Sequence, residues 1–193
     1  MSPASQKEIP LTGGRMPDTI KIRSAHAEDA IVLAPAERTI AETPGFLVSK
    51  PHELIDENFE EKISELESCV NGKYLVAEIG NTIVAHGMLN PLPLDALGHV
   101  VQLTLVVHKG WQGKGVGKAL LSALLEWAKS EPTVEKIELC VRSSNFVAQD
   151  LYKKMGFTEE GRWRKRIKIG ERKYLDDVLM GLWVGDANQG DRI

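Results

Sequence analysis

The sequence is poor in the residues that announce special chemistry. Of 193 residues two are cysteine, Cys69 and Cys140, with no CxxC pair and no histidine at metal-ligand spacing. That excludes a disulfide framework and speaks against a bound metal. No apolar run approaches the ~18 residues of a membrane span, and no apolar signal segment opens the chain. Neither charge dominates: 24 Lys and Arg stand against 27 Asp and Glu, a net −3, so no global basic field is present to hold nucleic acid. Internal repeats and low-complexity blocks are missing as well. These absences point to a cytoplasmic protein that associates with no membrane. Its length is that of one domain of ~100–200 residues, and 42% hydrophobic residues suffice for a core.

Residues 1–18 are polar, rich in Pro and Gly and without period, and read as a flexible leader. Residues 185–193 read as a flexible tail. Between them, 19–184 predicts one domain in which strands and helices alternate. TIKIRSA is a strand. Asp29 to Glu42 predicts a helix interrupted at Pro35 and closed at Pro44-Gly45, and Glu53 to Ser68 carries Leu54, Ile55, Phe59, Ile63 and Leu66 at helical spacing. KYLVAEIGNTIVAHGMLNPLP predicts a hairpin turning at Gly80-Asn81. HVVQLTLVV is a β-branched strand, followed by a glycine loop and a helix over Val116–Ser130. VEKIELCVR predicts a strand, SNFVAQDLYKKM a helix ended by Gly156, and 161–184 a last hairpin around Gly170. The pattern is that of a mixed α/β domain with a partly antiparallel sheet.

The loop GWQGKGVGKALL places four glycines within eight residues, between a buried strand and a helix. The first turn of a helix has unpaired N–H groups and a positive dipole end, so it attracts anions, and glycine lets a backbone come close to a ligand. A Walker loop does not fit, because Gln112 and Ala119 stand where Gly and a hydroxyl belong. Nor does the dinucleotide fingerprint, whose third Gly is replaced by Lys118.

What fits is Gln112-x-x-Gly115-x-Gly117 behind Leu105-Val106-Val107, which resembles the acetyl-CoA segment of the GCN5-related N-acetyltransferase (GNAT) family. A second block, SSNFVAQDLYKKMGF, resembles that family's Asn-x-x-Ala-x-x-x-Tyr-x-x-x-Gly-Phe segment through Asn145, Ala148, Tyr152, Gly156 and Phe157. The resemblance covers roughly Thr19 to Val184. It implies a largely antiparallel sheet flanked by helices, with two central strands splayed apart, and acetyl-CoA as cosubstrate without a metal. It implies that Gln112, Gly113, Lys114, Gly115, Val116, Gly117 and Lys118 wrap the diphosphate. The pantetheine arm then pairs with the backbone of Leu105, Val106 and Val107, with Asn145 as helix N-cap, arm contact or both. Relatives commonly open the gap with a β-bulge. Tyr152 falls where relatives keep the acid that protonates the departing thiolate. The reaction implied is direct attack of an amine in a ternary complex; Cys140, within a strand, reads as packing. Relatives often form dimers, so a homodimer is a possible assembly.

The base that deprotonates the amine is not marked. Many relatives carry a Glu on the central strand, but here Gln102 stands near that place. Asp176 and Asp177, on opposite sides of one strand, are the remaining carboxylates with a claim, ahead of Glu78, His86 and His99; a water chain would serve equally. The segment RWRKRIKIGERK packs seven basic residues and Trp163 into twelve. Read as a solvated hairpin, it alternates Arg164, Arg166 and Lys168 on one face with Trp163, Lys165 and Ile167 on the other. It disfavours a polyamine and suits a small-molecule or peptide amine that also carries a carboxylate. The alternatives are an acyl-CoA-binding regulatory module without turnover, and a nucleic-acid-binding protein that uses residues 162–173.

Overall fold

The computed structural model describes residues 7–9 and 19–185. Among them, the strands are β1 (Lys7–Ile9), β2 (Ile20–Ser24), β3 (Lys73–Ile79), β4 (Thr82–Pro91), β5 (Val100–Val107), β6 (Lys136–Arg142), β7 (Thr158–Gly170) and β8 (Lys173–Trp183). The helices are α1 (Ala30–Ala41), α2 (Asp56–Ser68), α3 (Val116–Ser130) and α4 (Phe146–Lys154). One sheet runs in the order β1-β2-β3-β4-β5-β6-β8-β7. Its neighbours are antiparallel except β5 and β6, which are parallel. This is the mixed, largely antiparallel sheet with flanking helices that the strand pattern and the resemblance imply.

Several boundaries differ from the sequence reading, for physical reasons. Lys7–Ile9, inside the segment read as leader, pairs with β2; residues 1–6, 10–18 and 186–193 lie outside the described residues. Pro35 lies within α1 without breaking it. Proline removes one N–H and one hydrogen bond there, and burial of Ala30, Leu33 and Ala34 holds the helix together. α2 starts at Asp56, because Pro51–Glu53 forms a separate short 3-10 turn and Ile55 has extended backbone. The last hairpin turns at Glu171-Arg172, and Gly170 belongs to β7.

The two faces of the sheet are covered differently. α3 buries Val116, Leu120, Leu121, Leu124, Leu125 and Ala128 against Leu75, Ala77, Leu89, Leu103 and Ile137. A fully buried Leu contributes roughly 1.5–3 kcal/mol, so this stripe anchors the helix behind the glycine loop. Leu151 and Tyr152 of α4 join the same core. The alternate residues of β3, Tyr74 and Val76, meet Leu33 of α1 and Ile63 and Leu66 of α2 on the other face. No helix among the described residues is long and apolar enough to cross a membrane.

Candidate active site

The site begins where two strands part. β5 and β6 pair over Val100–Gln102 and Lys136–Glu138 and no further. Beyond Gln102, β5 stays on β4 up to Val107 opposite Ala85, while β6 stays on β8 up to Arg142 opposite Asp177. A wedge opens between Leu103–Val107 and Leu139–Arg142. The β4–β5 register runs without interruption, so no β-bulge in that pairing creates the gap. A bulge does occur in the neighbouring β3–β4 pairing, where β4 carries the extra residue Val84 opposite the Ala77–Glu78 step of β3.

At the far end of β5 stands the glycine loop. Gly113 and Gly115 hold φ of 74° and 82°, in the left-handed region that side chains rarely enter. A Cβ on Gly113 would meet no atom within 4 Å, and one on Gly117 would press Val107 at 3.2 Å and touch Leu151 at 3.6 Å. Gly115 therefore caps α3 without a side chain, and Gly117 lets the helix settle against β5 and α4. The N–H groups of Gly115, Val116, Gly117 and Lys118 have no hydrogen-bond acceptor among the described residues. Lys114 lies over the Trp111 ring at 4.7 Å. Open N–H donors, flanking lysines and glycines that clear the approach form a cradle that suits a diphosphate. Gln112 has another task. Its Nε2 donates to the Val107 carbonyl at 2.9 Å and its Oε1 accepts from the Gly110 N–H at 3.0 Å, which fastens the loop to the strand end.

The candidate groups lie on opposite faces of the sheet. On the α3 face, Tyr152 is buried against Phe157, ring centroids 5.7 Å apart. Burial pushes its pKa up to about 12, so the phenol keeps its proton across the neutral range. Asn145 caps α4 by accepting from the Ala148 N–H at 3.2 Å. On the other face a cavity of about 320 Å³ is lined by Val48, Gln102, Thr104, Cys140, Arg142, Trp163, Arg166 and Asp177, among others. Asp177 is 1% exposed and Arg142 5%. Arg142 Nε stands 2.6 Å from Asp177 Oδ1. The pair is ionic rather than a directed hydrogen bond, since neither atom meets hydrogen-bond geometry. Arg166 Nε lies 3.3 Å from Asp177 Oδ2. Burial raises the Asp177 pKa against the pull of both guanidiniums. Burial also raises the Cys140 pKa, so this thiol stays protonated and is a poor nucleophile.

The other carboxylates and histidines singled out in the sequence stand elsewhere. Asp176 points away from Asp177 and accepts from the Lys165 N–H at 2.7 Å. Glu78 is held by Arg23 at 2.7 Å. His99 lies beside Trp183. Gln102 lines the cavity and is exposed, but an amide cannot take up a proton. His86 is fully buried in a chain of partners. Its Nε2 is 2.7 Å from Glu37 Oε1, its Nδ1 is 3.1 Å from His108 Nε2, and His108 Nδ1 is 3.1 Å from the Ile83 carbonyl. A carbonyl only accepts, so His108 carries its proton on Nδ1 and receives one from His86 Nδ1. One further proton then binds Glu37 to His86 and ties α1 to the sheet. Sequence reasoning missed Arg142 and Glu37 altogether, and it placed Arg166 on the wrong side of Trp163. Arg142 carried no local signal, because it alternates with Lys136, Glu138 and Cys140 along β6 and meets Asp177 only through the β6–β8 register.

Comparison with known proteins agrees with this geometry. A family model described as the Acetyltransferase (GNAT) family matches residues 40–157. The chain is 33% identical over 109 residues to the L-amino acid N-acetyltransferase AaaT of Escherichia coli, a stretch covering 56% of this chain and 66% of that protein. It is 35% identical over 127 residues to an N-alpha-acetyltransferase of Sulfurisphaera tokodaii, covering 61% and 72%. Among solved structures, a GNAT-family acetyltransferase from Streptococcus pneumoniae superposes with a TM-score of 0.78 at 28% identity, covering 86% of this chain and 99% of that one. YncA from Salmonella typhimurium, solved with acetyl-CoA, superposes with a TM-score of 0.80, covering 90% and 99%; at 20% identity that likeness speaks for the fold alone.

Proposed function

The chain belongs to the acetyltransferase (GNAT) family and is an enzyme of that class; from that premise we propose that it moves an acetyl group from acetyl-CoA to a primary amine by direct attack in a ternary complex. The observation that carries this reading is the wedge between β5 and β6. Its supports are the cavity that Asp177 shares with Gln102 and Thr104 of β5 on one face, and the burial of Tyr152 in the α3 core on the other. The amine belongs to a small molecule such as an amino acid, or to a peptide.

Each residue has a task set by its surroundings. Gly113 to Lys118 bind the diphosphate through main-chain N–H groups, with Lys114 and Lys118 adding charge. The backbone of Leu105–Val107 pairs with the amide-rich arm as an added strand would, and Asn145 stands at the mouth of α4 beside it. A main-chain N–H of that strand stabilises the oxyanion as the nitrogen–carbon bond forms. Asp177 takes the proton that the amine gives up. Its raised pKa makes it a better base than an ordinary carboxylate, and Arg142 keeps it oriented. Tyr152 serves the sulfur as the carbon–sulfur bond breaks. A phenol with pKa about 12 is a weaker acid than a thiol of ~8.5, so its main contribution is a hydrogen bond to the developing thiolate. Cys140, protonated in the cavity wall, takes no covalent part.

A thiol-release assay over a panel of amines with acetyl-CoA tests the reading. Amine-dependent release of free CoA is expected. A folded protein that binds acetyl-CoA and acetylates no amine would instead be an acyl-CoA-binding module, the reading favoured by the uncharged Gln102.

A further inference from the structure

The cavity beside Asp177 carries one more charge than the chemistry of transfer requires. Arg142 and Asp177 are buried and neutralise each other at 2.6 Å. Arg166 adds a second guanidinium at 3.3 Å, and its side chain is 52% exposed. The three together are net positive. A guanidinium has five N–H donors, and apart from its contact with Asp177, Arg166 makes no hydrogen bond to protein among the described residues. It is nevertheless held in place: its Cζ lies 4.0 Å from the centre of the Trp163 ring, a stack that restricts the plane of the fork.

The backbone delivers Arg166 to this place against the ordinary period of a strand. Two-residue alternation would put Arg166 and Trp163 on opposite faces of β7. Between Trp163, opposite Asp177, and Ile167, opposite Leu175, β7 has two residues more than β8, which breaks the alternation. Lys165 within this bulge has φ of 53°, an unfavourable conformation for a residue with a side chain. The Asp176 carboxylate compensates by accepting the Lys165 N–H at 2.7 Å. The clip offsets the strain and fixes the bulge that carries Arg166.

We propose that Arg166 selects the acceptor by binding a carboxylate carried next to the reacting amine, and that Asp176 is its positioning residue. This rests on the transferase reading above and names the substrate class of that site: amino acids, with Asp177 facing the nitrogen and Arg166 the carboxylate. An amine without an anionic group meets a net positive wall and has nothing to offset it. Val48, from the segment between α1 and α2, lines the cavity on a further side and narrows it to a small acceptor.

The test is kcat/KM for the twenty protein amino acids, their carboxamides and the corresponding amines lacking the carboxylate. The native enzyme is expected to prefer acids to carboxamides by about ten- to a hundredfold, the range of a charge-assisted bond. Arg166→Ala should bring that ratio close to one while leaving the KM for acetyl-CoA unchanged, and Arg166→Lys should restore part of it. Asp176→Ala should lower the ratio, and Asp176→Asn, whose amide oxygen still accepts the Lys165 N–H, should rescue it. A merely structural residue would lower all substrates alike. Carboxamides used as well as acids by the native enzyme, or an unchanged ratio in Arg166→Ala, overturns the proposal and leaves the transferase reading standing. A protein that binds acetyl-CoA and acetylates nothing overturns the transferase reading itself.

Discussion

At the scale of single residues, the proposed mechanism divides the work between groups whose environments push them toward neutrality. Tyr152→Phe removes the donor to the departing sulfur and keeps the ring against Phe157. Turnover should fall about a hundredfold or more with little change in acetyl-CoA affinity; an unchanged rate in steady-state kinetics removes Tyr152 from the reaction. In the proposed mechanism Asp177 acts when deprotonated, so kcat/KM should fall as pH drops through its raised pKa. That acid limb should lie above the ordinary carboxylate value of 3.8 and disappear in Asp177→Asn. Asp177→Ala is the worse probe, because it strands the buried Arg142 charge at a cost of about 3–5 kcal/mol. Cys140→Ala should retain most of the activity, since the proposed direct transfer needs no thiol from the protein; loss of turnover together with a trapped acetyl-enzyme would contradict it.

At the scale of elements, α1 and the β5–α3 connection are fastened by opposite means. The connection relies on glycine conformations and the Gln112 side chain, while α1 is fastened by the buried Glu37–His86–His108 chain. Glu37→Leu leaves His86 Nε2 without its partner and should cost about 1–3 kcal/mol of stability by urea denaturation. Burial first, and His86 second, lower the His108 pKa from 6.5 to about 4. The unfolded chain therefore takes up this proton before the folded one does. The stability His108 contributes is fully present above pH 6.5 and is lost as pH falls toward about 4. The difference between urea midpoints at pH 7 and 4.5 should be smaller in His108→Gln than in the native chain. An equal difference would mean that His108 is not held neutral. The segment that leaves α1 reaches the site, where Ser144 Oγ donates to the Gly45 carbonyl at 3.4 Å and Val48 lines the cavity, so loosening α1 should also raise the KM for the amine.

At the scale of the molecule, what the chain could reveal in advance depended on whether the information was local. The glycine spacing, the β-branched run before it and the Asn145–Phe157 block are local, and they located the glycine loop, α3 and α4 within about two residues. Tyr152 could be picked out by its place in that block. The partner of Asp177 could not, because Arg142 and Asp177 are 35 positions apart and meet only through the β6–β8 register. Arg166 was misplaced because a bulge overrode the strand period, and nothing in RWRKRI announces a residue with positive φ at Lys165. Glu37 carries no local mark, because only the packing of α1 on the sheet brings it to His86. The gap between β5 and β6 is likewise a property of the assembled sheet. Its meaning rests on one claim, that unpaired main-chain N–H groups at the start of α3 hold the diphosphate of acetyl-CoA. Calorimetric titration of acetyl-CoA into the native protein and into Gly113→Glu tests this most directly, because a side chain at Gly113, although strained by the positive φ, meets no neighbour and brings negative charge to the cradle. The native protein should give saturable heat, and the variant, with an unaltered circular dichroism spectrum, should give none; equal affinity in the two, or no binding by the folded native protein, contradicts the account.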